Sequence, residues 1–389
     1  MSYNRLDTRA GGEKNKTADI FPARLADNQL GNGRRRQDFM SELKAMKSVY
    51  CYFFPETRDL MRYMESALPD KMYLVTTPVE MVREHLEPLF SPPLDVPQTP
   101  QCYVNLDEIH VPIIERVVRA YYPLAPALGG FEHRYPTPGS SEGIFKILTK
   151  LRCEGVDTIN VLPGEYEGYE EYAGPSDLGM RVNKVDPEKA VAGKIEPGVW
   201  FISNPSARDG NILPDQLVQD LCNKGNRVVL DLSYIGATKP HKFDLSHENI
   251  PAVFMSLSKP YGLFRFRIGF TFSRAPVHSL YGNKWFKDPA RLLQGLRVIE
   301  ELGPDEQGST NLYKRYRPVQ EQVVAGINSD LGLGMRTSDS LLLGHITGED
   351  AEKLGERQLP IIAQFARGSG YRFCLTPYFE EWERNKRKQ

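Results

Sequence analysis

One lysine in this chain stands where its surroundings can tune its amine. It belongs to Ser256-Leu-Ser-Lys259-Pro-Tyr-Gly262-Leu-Phe-Arg-Phe-Arg267-Ile-Gly269. An apolar segment, Val253-Phe-Met255, precedes this stretch, and another, Ile268-Gly-Phe-Thr-Phe272, closes it. The pattern predicts a strand, a tight polar loop and a second strand. A lysine held in such a loop can form a Schiff base with a carbonyl compound. Arg267, eight residues on, can return to the same place and bind an anion in fork geometry.

Other residues of chemical interest fall at the ends of apolar runs. Asp231 closes Arg227-Val-Val-Leu-Asp231, and Tyr234 follows three positions later. A carboxylate there can pair with a protonated ring nitrogen, and the tyrosine can donate to a phenolic oxygen; a polar strand end facing solvent has the same look. Asn204-Pro205 ends Val199-Trp-Phe-Ile-Ser203, where an amide serves either as a donor or simply as part of a turn. Gly139-Ser140-Ser141-Glu142-Gly143 opens a helical pattern. Its free N–H groups and dipole favour a phosphate, although a serine N-cap with no ligand reads identically. Tyr166, in Pro163-Gly-Glu-Tyr166, can stack on an aromatic ring or pack as an ordinary tyrosine. Arg372, in Gly370-Tyr-Arg372-Phe-Cys-Leu375, can clamp a carboxylate with two parallel bonds, or form a surface ion pair.

These residues need a scaffold. Strands are expected at 158–162, 199–203, 227–231, 252–256 and 370–375, with helices at 140–148 and 214–222. Short apolar strands separated by helices imply an open, mainly parallel α/β sheet covered on both faces. In such sheets ligands gather at the carboxyl ends of the strands. Ile113 to Tyr122 has helical periodicity. Thr77-Pro-Val-Glu80 has the capping-box pattern of a helix start. Gly31-Asn-Gly-Arg-Arg-Arg36 reads as a polar loop.

The 389 residues, 40% hydrophobic and 25% charged, suffice for a large domain with a smaller companion. The net charge of −1 gives no electrostatic reason to expect nucleic acid or an anionic membrane. No apolar run is long enough to span a bilayer, and residues 1–20 lack the apolar centre of a signal peptide. The five cysteines are scattered, without CxxC spacing. They suggest a reducing, cytoplasmic setting and no metal site.

Taken in order, the motifs resemble those of the fold type I aminotransferase family, the aspartate aminotransferase-like pyridoxal-phosphate enzymes of class I/II. The likeness runs from about residue 105 to the end of the chain. It implies an α/β fold with a mainly parallel, seven-stranded-type sheet in a large cofactor domain and a smaller α/β C-terminal domain. The corresponding boundaries are 1–104 for an N-terminal arm and divergent helical segment, 105–274 for the cofactor domain and 275–389 for the small domain. The resemblance implies that pyridoxal 5'-phosphate is the cofactor and Lys259 its Schiff-base lysine. Ser140, Ser141, Ser256 and Arg267 would hold the phosphate. Tyr166 would stack on the ring, Asn204 and Tyr234 would bind its phenolic oxygen, and Asp231 its nitrogen. Arg372 would take the substrate carboxylate. An amino acid is the expected small-molecule substrate, transamination the expected reaction and a homodimer the expected assembly.

Some features depart from the family pattern. The loop Asn204-Pro-Ser-Ala-Arg-Asp-Gly210 carries Arg208 and Asp209 at unusual places, and Arg208 is a candidate substrate contact. His133 is expected to help shape the side-chain pocket. Tyr52, Tyr121 and Tyr122 are alternatives for a tyrosine given to a partner's site. Decarboxylation, elimination and cyclisation are the alternative outcomes on the same scaffold.

Overall fold

Alternate residues of the central strands feed two separate apolar layers. In the computed structural model, which describes residues 43–47, 52–67, 84, 86–94, 107–283 and 288–387, β1 is His133–Thr137, β2 Thr158–Val161 and β3 Arg181–Lys184. They are followed by β4 Val199–Ser203, β5 Arg227–Asp231, β6 Ala252–Ser256 and β7 Gly269–Ser273. Trp200, Ile202, Val228, Leu230, Val253 and Met255 point into one layer. Val199, Phe201, Val229 and Phe254 point into the other. The period of two along each strand produces this division. Burial on both faces explains why these strands read as continuous apolar runs. Each large side chain so buried contributes about 1.5–3 kcal/mol.

The seven strands order as β1-β7-β6-β5-β4-β2-β3. β3, β2, β4, β5 and β6 are mutually parallel, and β7 runs antiparallel to both β6 and β1. The sheet is therefore mainly parallel, as expected. β4, β5 and β6 have the expected bounds, and the helix opened by Ser140 runs on to Cys153. Two strands escape a pattern reading. β3 lies on an edge and is mostly exposed, so it lacks an apolar run. β1 contains Pro136 and charged residues, which its outer position tolerates.

A second sheet has β8 Arg336–Thr337, β9 Leu343–Ile346, β10 Ala366–Arg367 and β11 Gly370–Cys374, ordered β10-β11-β9-β8 and antiparallel throughout. Met46 bridges β11 at Cys374, with two backbone bonds of 2.9 Å. The segment 43–47 thus lies along the small sheet, an arrangement that sequence patterns did not locate. All described residues belong to one unit, Leu43–Gln389. The loop at 31–36 and the capping box at 77–80 lie outside the described residues. No helix among those described is long and apolar enough to cross a membrane, and no cluster of His, Cys, Asp or Glu among them could hold a metal ion.

Candidate functional site

The carboxyl ends of β4, β5 and β6 open onto a cavity of about 250 Å3, with Ser203, Asp231 and Ser256 in its wall. Ser203 pairs with Asp231 in register, and Ser256 with Gly269 at the start of β7. Because β7 is antiparallel, its first residue sits at this same edge. Thr137, the last residue of β1, also pairs with Gly269. The 257–268 loop and the turn after β1 are thereby brought to the same cavity.

Lys259 and Arg267 both line the cavity. The Lys259 Nζ lies 5.6 Å from the centroid of the Phe264 ring, and the Arg267 guanidinium carbon 5.4 Å from it. Gly262 turns the loop at φ +75°, and a Cβ there would stand 2.8 Å from the Cα of Phe53. Both the left-handed backbone and the close approach require glycine. Arg267 is itself left-handed at φ 54°, a conformation costing on the order of 1–2 kcal/mol for a residue with a Cβ. Its guanidinium donates to the Pro138 carbonyl at 2.7 Å and the Phe264 carbonyl at 3.3 Å.

Asp231 is 5% exposed. Its Oδ1 accepts from the Ser233 N–H at 2.9 Å and from the Ser233 hydroxyl, while its Oδ2 accepts from the Tyr169 hydroxyl at 3.1 Å. Burial raises its pKa above the usual aspartate range, against the pull of these donors and of the Lys259 charge. Tyr234 lines the cavity beside it.

The start of the Ser140–Cys153 helix gives the cavity a wall that suits an anion. Gly139 precedes the Ser140–Cys153 helix without supplying any side-chain cap, so the first N–H groups look into the site. A Cβ on Gly139 would stand 2.6 Å from the Arg267 guanidinium, and glycine lets the two close up. Ser140 is 2.9 Å from the Ser233 hydroxyl, and the Tyr166 hydroxyl bonds Ser141. Ser258 Oγ, also in the lining, is buried without a hydrogen-bond partner. Tyr166 stands edge-on to Tyr169, with centroids 5.4 Å apart, and lines the cavity.

Arg372 enters from the small sheet. It is 5% exposed and donates to the carbonyls of Ala207 and, at 3.2 Å, Lys47. Its Nε has no hydrogen-bond partner. Burial, and secondarily the neighbouring Arg367 charge, lower its pKa.

Three of the expected residues lie outside the lining of this cavity. Asn204 is 2% exposed and outside the cavity lining. Its amide closes the loop, Oδ1 accepting from the Leu213 N–H at 2.9 Å and Nδ2 facing the Leu213 carbonyl at 3.4 Å. Arg208 faces a neighbouring cavity of about 120 Å3 with Asp209 and His345, and its Nε donates to Ser206 Oγ. His133 pairs with Ser273 at the far end of β1 from the site.

The structure also brings in groups that sequence patterns missed. Ser203 and Ser233 had no signal beyond standing near strand ends. Arg367 lies on a two-residue strand whose only cue is a flanking Gly-Ser-Gly. Glu165, beside Tyr166, is 6% exposed. It accepts from the Ser203 hydroxyl at 2.6 Å, the Ser203 N–H at 3.2 Å and the Tyr166 N–H at 3.1 Å. Burial pushes its pKa up to about 7.

Residues 136–301, which span both Ser140 and Lys259, match the family described as aminotransferase class I and II. Two curated relatives are histidinol-phosphate aminotransferases. That of Pseudoalteromonas atlantica is 30% identical over 36% of this chain and 40% of its own length. That of Cytophaga hutchinsonii is 28% identical over 38% and 46%. The chain thus spans less than half the length of the curated relatives it matches. Among solved structures, a PLP-bound protein of Clostridium difficile 630 aligns over 86% of this chain and 89% of its own, with TM-score 0.57 and 12% identity. An aspartate aminotransferase variant of Thermus thermophilus complexed with tryptophan aligns over 84% and 85%, with TM-score 0.55 and 13% identity. The fold is that of the fold type I enzymes.

Proposed function

We propose that this protein binds pyridoxal 5'-phosphate and uses it to transaminate an amino acid. The observation that carries the reading is one cavity holding an amine, a buried carboxylate, an anion cradle and a buried arginine. The residues fit the cofactor on three counts: the partnerless Ser258 hydroxyl, the cradle of Gly139, Arg267 and uncapped helix N–H groups, and the carboxylate at the cavity floor. When bound, the group supplies an electrophilic carbon for amines and an electron-withdrawing ring.

Lys259 would be the amine that anchors it, and its Nζ, once free, would move the proton from the substrate α-carbon to the carbon that receives the amino group. Asp231 holds a proton on the ring nitrogen, and its two hydroxyl donors fix its orientation. Tyr234 donates to the phenolic oxygen. Arg267, Ser140, Ser141 and Ser256 hold the phosphate together with the helix N-terminus. Tyr166 covers one ring face. Arg372 binds the substrate carboxylate, its guanidinium fixed in advance by two carbonyls. The net exchange is of amino group for carbonyl oxygen between an amino acid and a 2-oxo acid. The large sheet is the cofactor-binding part, and the small sheet brings Arg372. We further propose a cytoplasmic homodimer. Of the three candidate tyrosines, Tyr122 is the exposed one and the one we assign to a partner's site.

Borohydride reduction followed by peptide mapping tests the reading. The cofactor should remain on Lys259, and Lys259→Ala should retain none. A reducible adduct persisting in that variant would remove the assignment. Transamination is tested with an amino acid and a 2-oxo acid together. Release of carbon dioxide or of a side-chain leaving group, without exchange, would instead identify a decarboxylase or lyase.

A further inference from the structure

The loop that holds Arg372 is itself held by a histidine. His345 stands on β9, opposite Arg372 on β11 and opposite Arg336 on β8. Residues directly opposite share a face of the sheet. The 206–211 loop packs on that face, and its Ala207 carbonyl accepts from Arg372. Gly210 is left-handed at φ +79°, and a Cβ there would stand 2.7 Å from the Leu343 side chain and 3.0 Å from the Ser338 Cβ. The loop therefore meets the small sheet at backbone distance, and the Gly210 carbonyl accepts from the Ser340 N–H at 2.9 Å.

His345 is 9% exposed, and both of its ring nitrogens face this junction. Nδ1 lies 3.2 Å from Ser338 Oγ, and Nε2 3.5 Å from Asn211 Nδ2. These partners decide where the ring proton sits. The Ser338 hydroxyl has one proton and gives it to the Asp209 carbonyl, so its oxygen is left to accept from Nδ1–H. Asn211 Oδ1 accepts from the Asp339 N–H at 3.0 Å, which turns the amide nitrogen toward Nε2. The ring is therefore neutral, with its proton on Nδ1. Burial lowers its pKa, and the Arg336 charge adds to this while Asp209, Asp339 and Asp350 oppose it. The imidazole thus ties the loop to the sheet on both sides of Gly210, at Asp209 through Ser338 and at Asn211 directly.

We propose that His345 is a positioning residue for carboxylate binding: its neutral ring locks the 206–211 loop to the small sheet and so fixes the Ala207 carbonyl that orients Arg372. This deepens the functional reading above and rests on Arg372 as the carboxylate-binding group. His345 does not line the Lys259 cavity and touches neither substrate nor cofactor. It acts through the loop, and its loss frees the guanidinium to leave the orientation in which both fork donors meet one carboxylate.

Calorimetric titration of the cofactor-loaded protein with propionate, a non-reacting carboxylate, tests this beside the cofactor affinity of each variant. His345→Leu should weaken propionate about fivefold to tenfold, as expected for lost hydrogen bonds, and leave cofactor affinity within about twofold of wild type. His345→Gln has an amide that can donate to Ser338 and accept from Asn211, and should restore propionate binding to within about twofold of wild type. Ser338→Ala should weaken propionate to a similar degree, and adding it to His345→Leu should cost little more, because both break the same connection. Isotope labelling of the histidine ring nitrogens, with the His345→Gln spectrum to assign the signal, should show a neutral ring protonated on Nδ1. Unchanged propionate affinity in His345→Leu would overturn the proposal. So would a ring protonated on Nε2, or an equal loss of propionate and cofactor affinity, which would mark a merely structural role. Arg372→Gln separates the proposal from the reading beneath it. If that variant binds propionate as tightly as wild type, Arg372 is not the carboxylate-binding group and both fall. If it loses propionate while His345→Leu retains it, only the role of His345 falls.

Discussion

Glu165 illustrates how a single side chain can set a pH response. Its carboxyl is pushed from 4.5 to about 7 by burial, with the Ser203 and Tyr166 donors and the Arg208 charge pulling the other way. The folded protein therefore holds this proton more tightly than the unfolded chain does. Stability from this group is complete below about pH 4.5 and is lost as pH rises through about 7. The loss is at most about 3 kcal/mol, from 1.36 kcal/mol per pH unit. Glu165→Gln should remove it. Relative to the variant, the wild type should lose roughly 2–3 kcal/mol of unfolding free energy between about pH 5 and pH 8. Denaturant unfolding of both proteins across that range measures the difference, and a pH-independent difference would contradict the cause given. Asp231 is raised by burial as well, but it is common to both proteins and cancels. Glu165 could not be read from sequence, because a Glu in a loop is ordinarily solvated. Lys259 could be read, because a serine, a glycine and an arginine stood at fixed distances around it.

Elements were legible in proportion to how completely they are buried. β4, β5 and β6 have apolar side chains on both faces and end where the sequence changes to polar residues. β1 and β3 have weak apolar texture and sit at the sheet's edges. Position in the sheet, which no local pattern contains, decided that difference. The Ser140–Cys153 helix shows a further constraint. A Cβ on Gly143 would overlap the Thr271 hydroxyl and stand 2.9 Å from the Phe254 ring. The helix therefore approaches β6 and β7 at backbone distance, which is how its N-terminus reaches the cavity. Gly143→Ala should lower stability by about 1–3 kcal/mol through overpacking. It should also weaken cofactor affinity, since the helix start must retreat. Paired measurement of melting temperature and cofactor affinity checks both, and an unchanged affinity would show that the helix start does not hold the ligand.

At the scale of the whole molecule, the cavity is lined by residues from both sheets, and the segment 43–47 holds Arg372 through the Lys47 carbonyl. A ligand that contacts so many parts should bind only the folded state. Pyridoxal phosphate at about 100 times its dissociation constant should add about 2.7 kcal/mol of stability, raising Tm by roughly 2–4 °C or less for a chain of this size. Arg267→Ala should lose that rise at the same concentration while keeping the unloaded Tm within about a degree or two. Scanning calorimetry with and without the cofactor makes the comparison, and a rise undiminished in the variant would exclude Arg267 from the phosphate site. The parts of the site that sequence could not supply are those assembled at this scale. The Lys47 and Ala207 carbonyls carry no side-chain signature, and the loop after β4 turns the Arg208 and Asn204 side chains away from the cavity lining.

The pairing of Met46 with Cys374 and of Lys47 with Arg372 also places the site in time. Lys47 and Arg372 stand 325 positions apart. At about 5–20 residues per second, a ribosome needs roughly 16–65 s to pass from one to the other. For that interval the 43–47 segment has been made and its strand partner has not. Its backbone groups form an open edge throughout, the kind that invites pairing with another chain. The Arg372 side of the cavity is thus completed only after that interval. A growing chain can build the Lys259 loop and the helix at Ser140 well before Arg372 joins them.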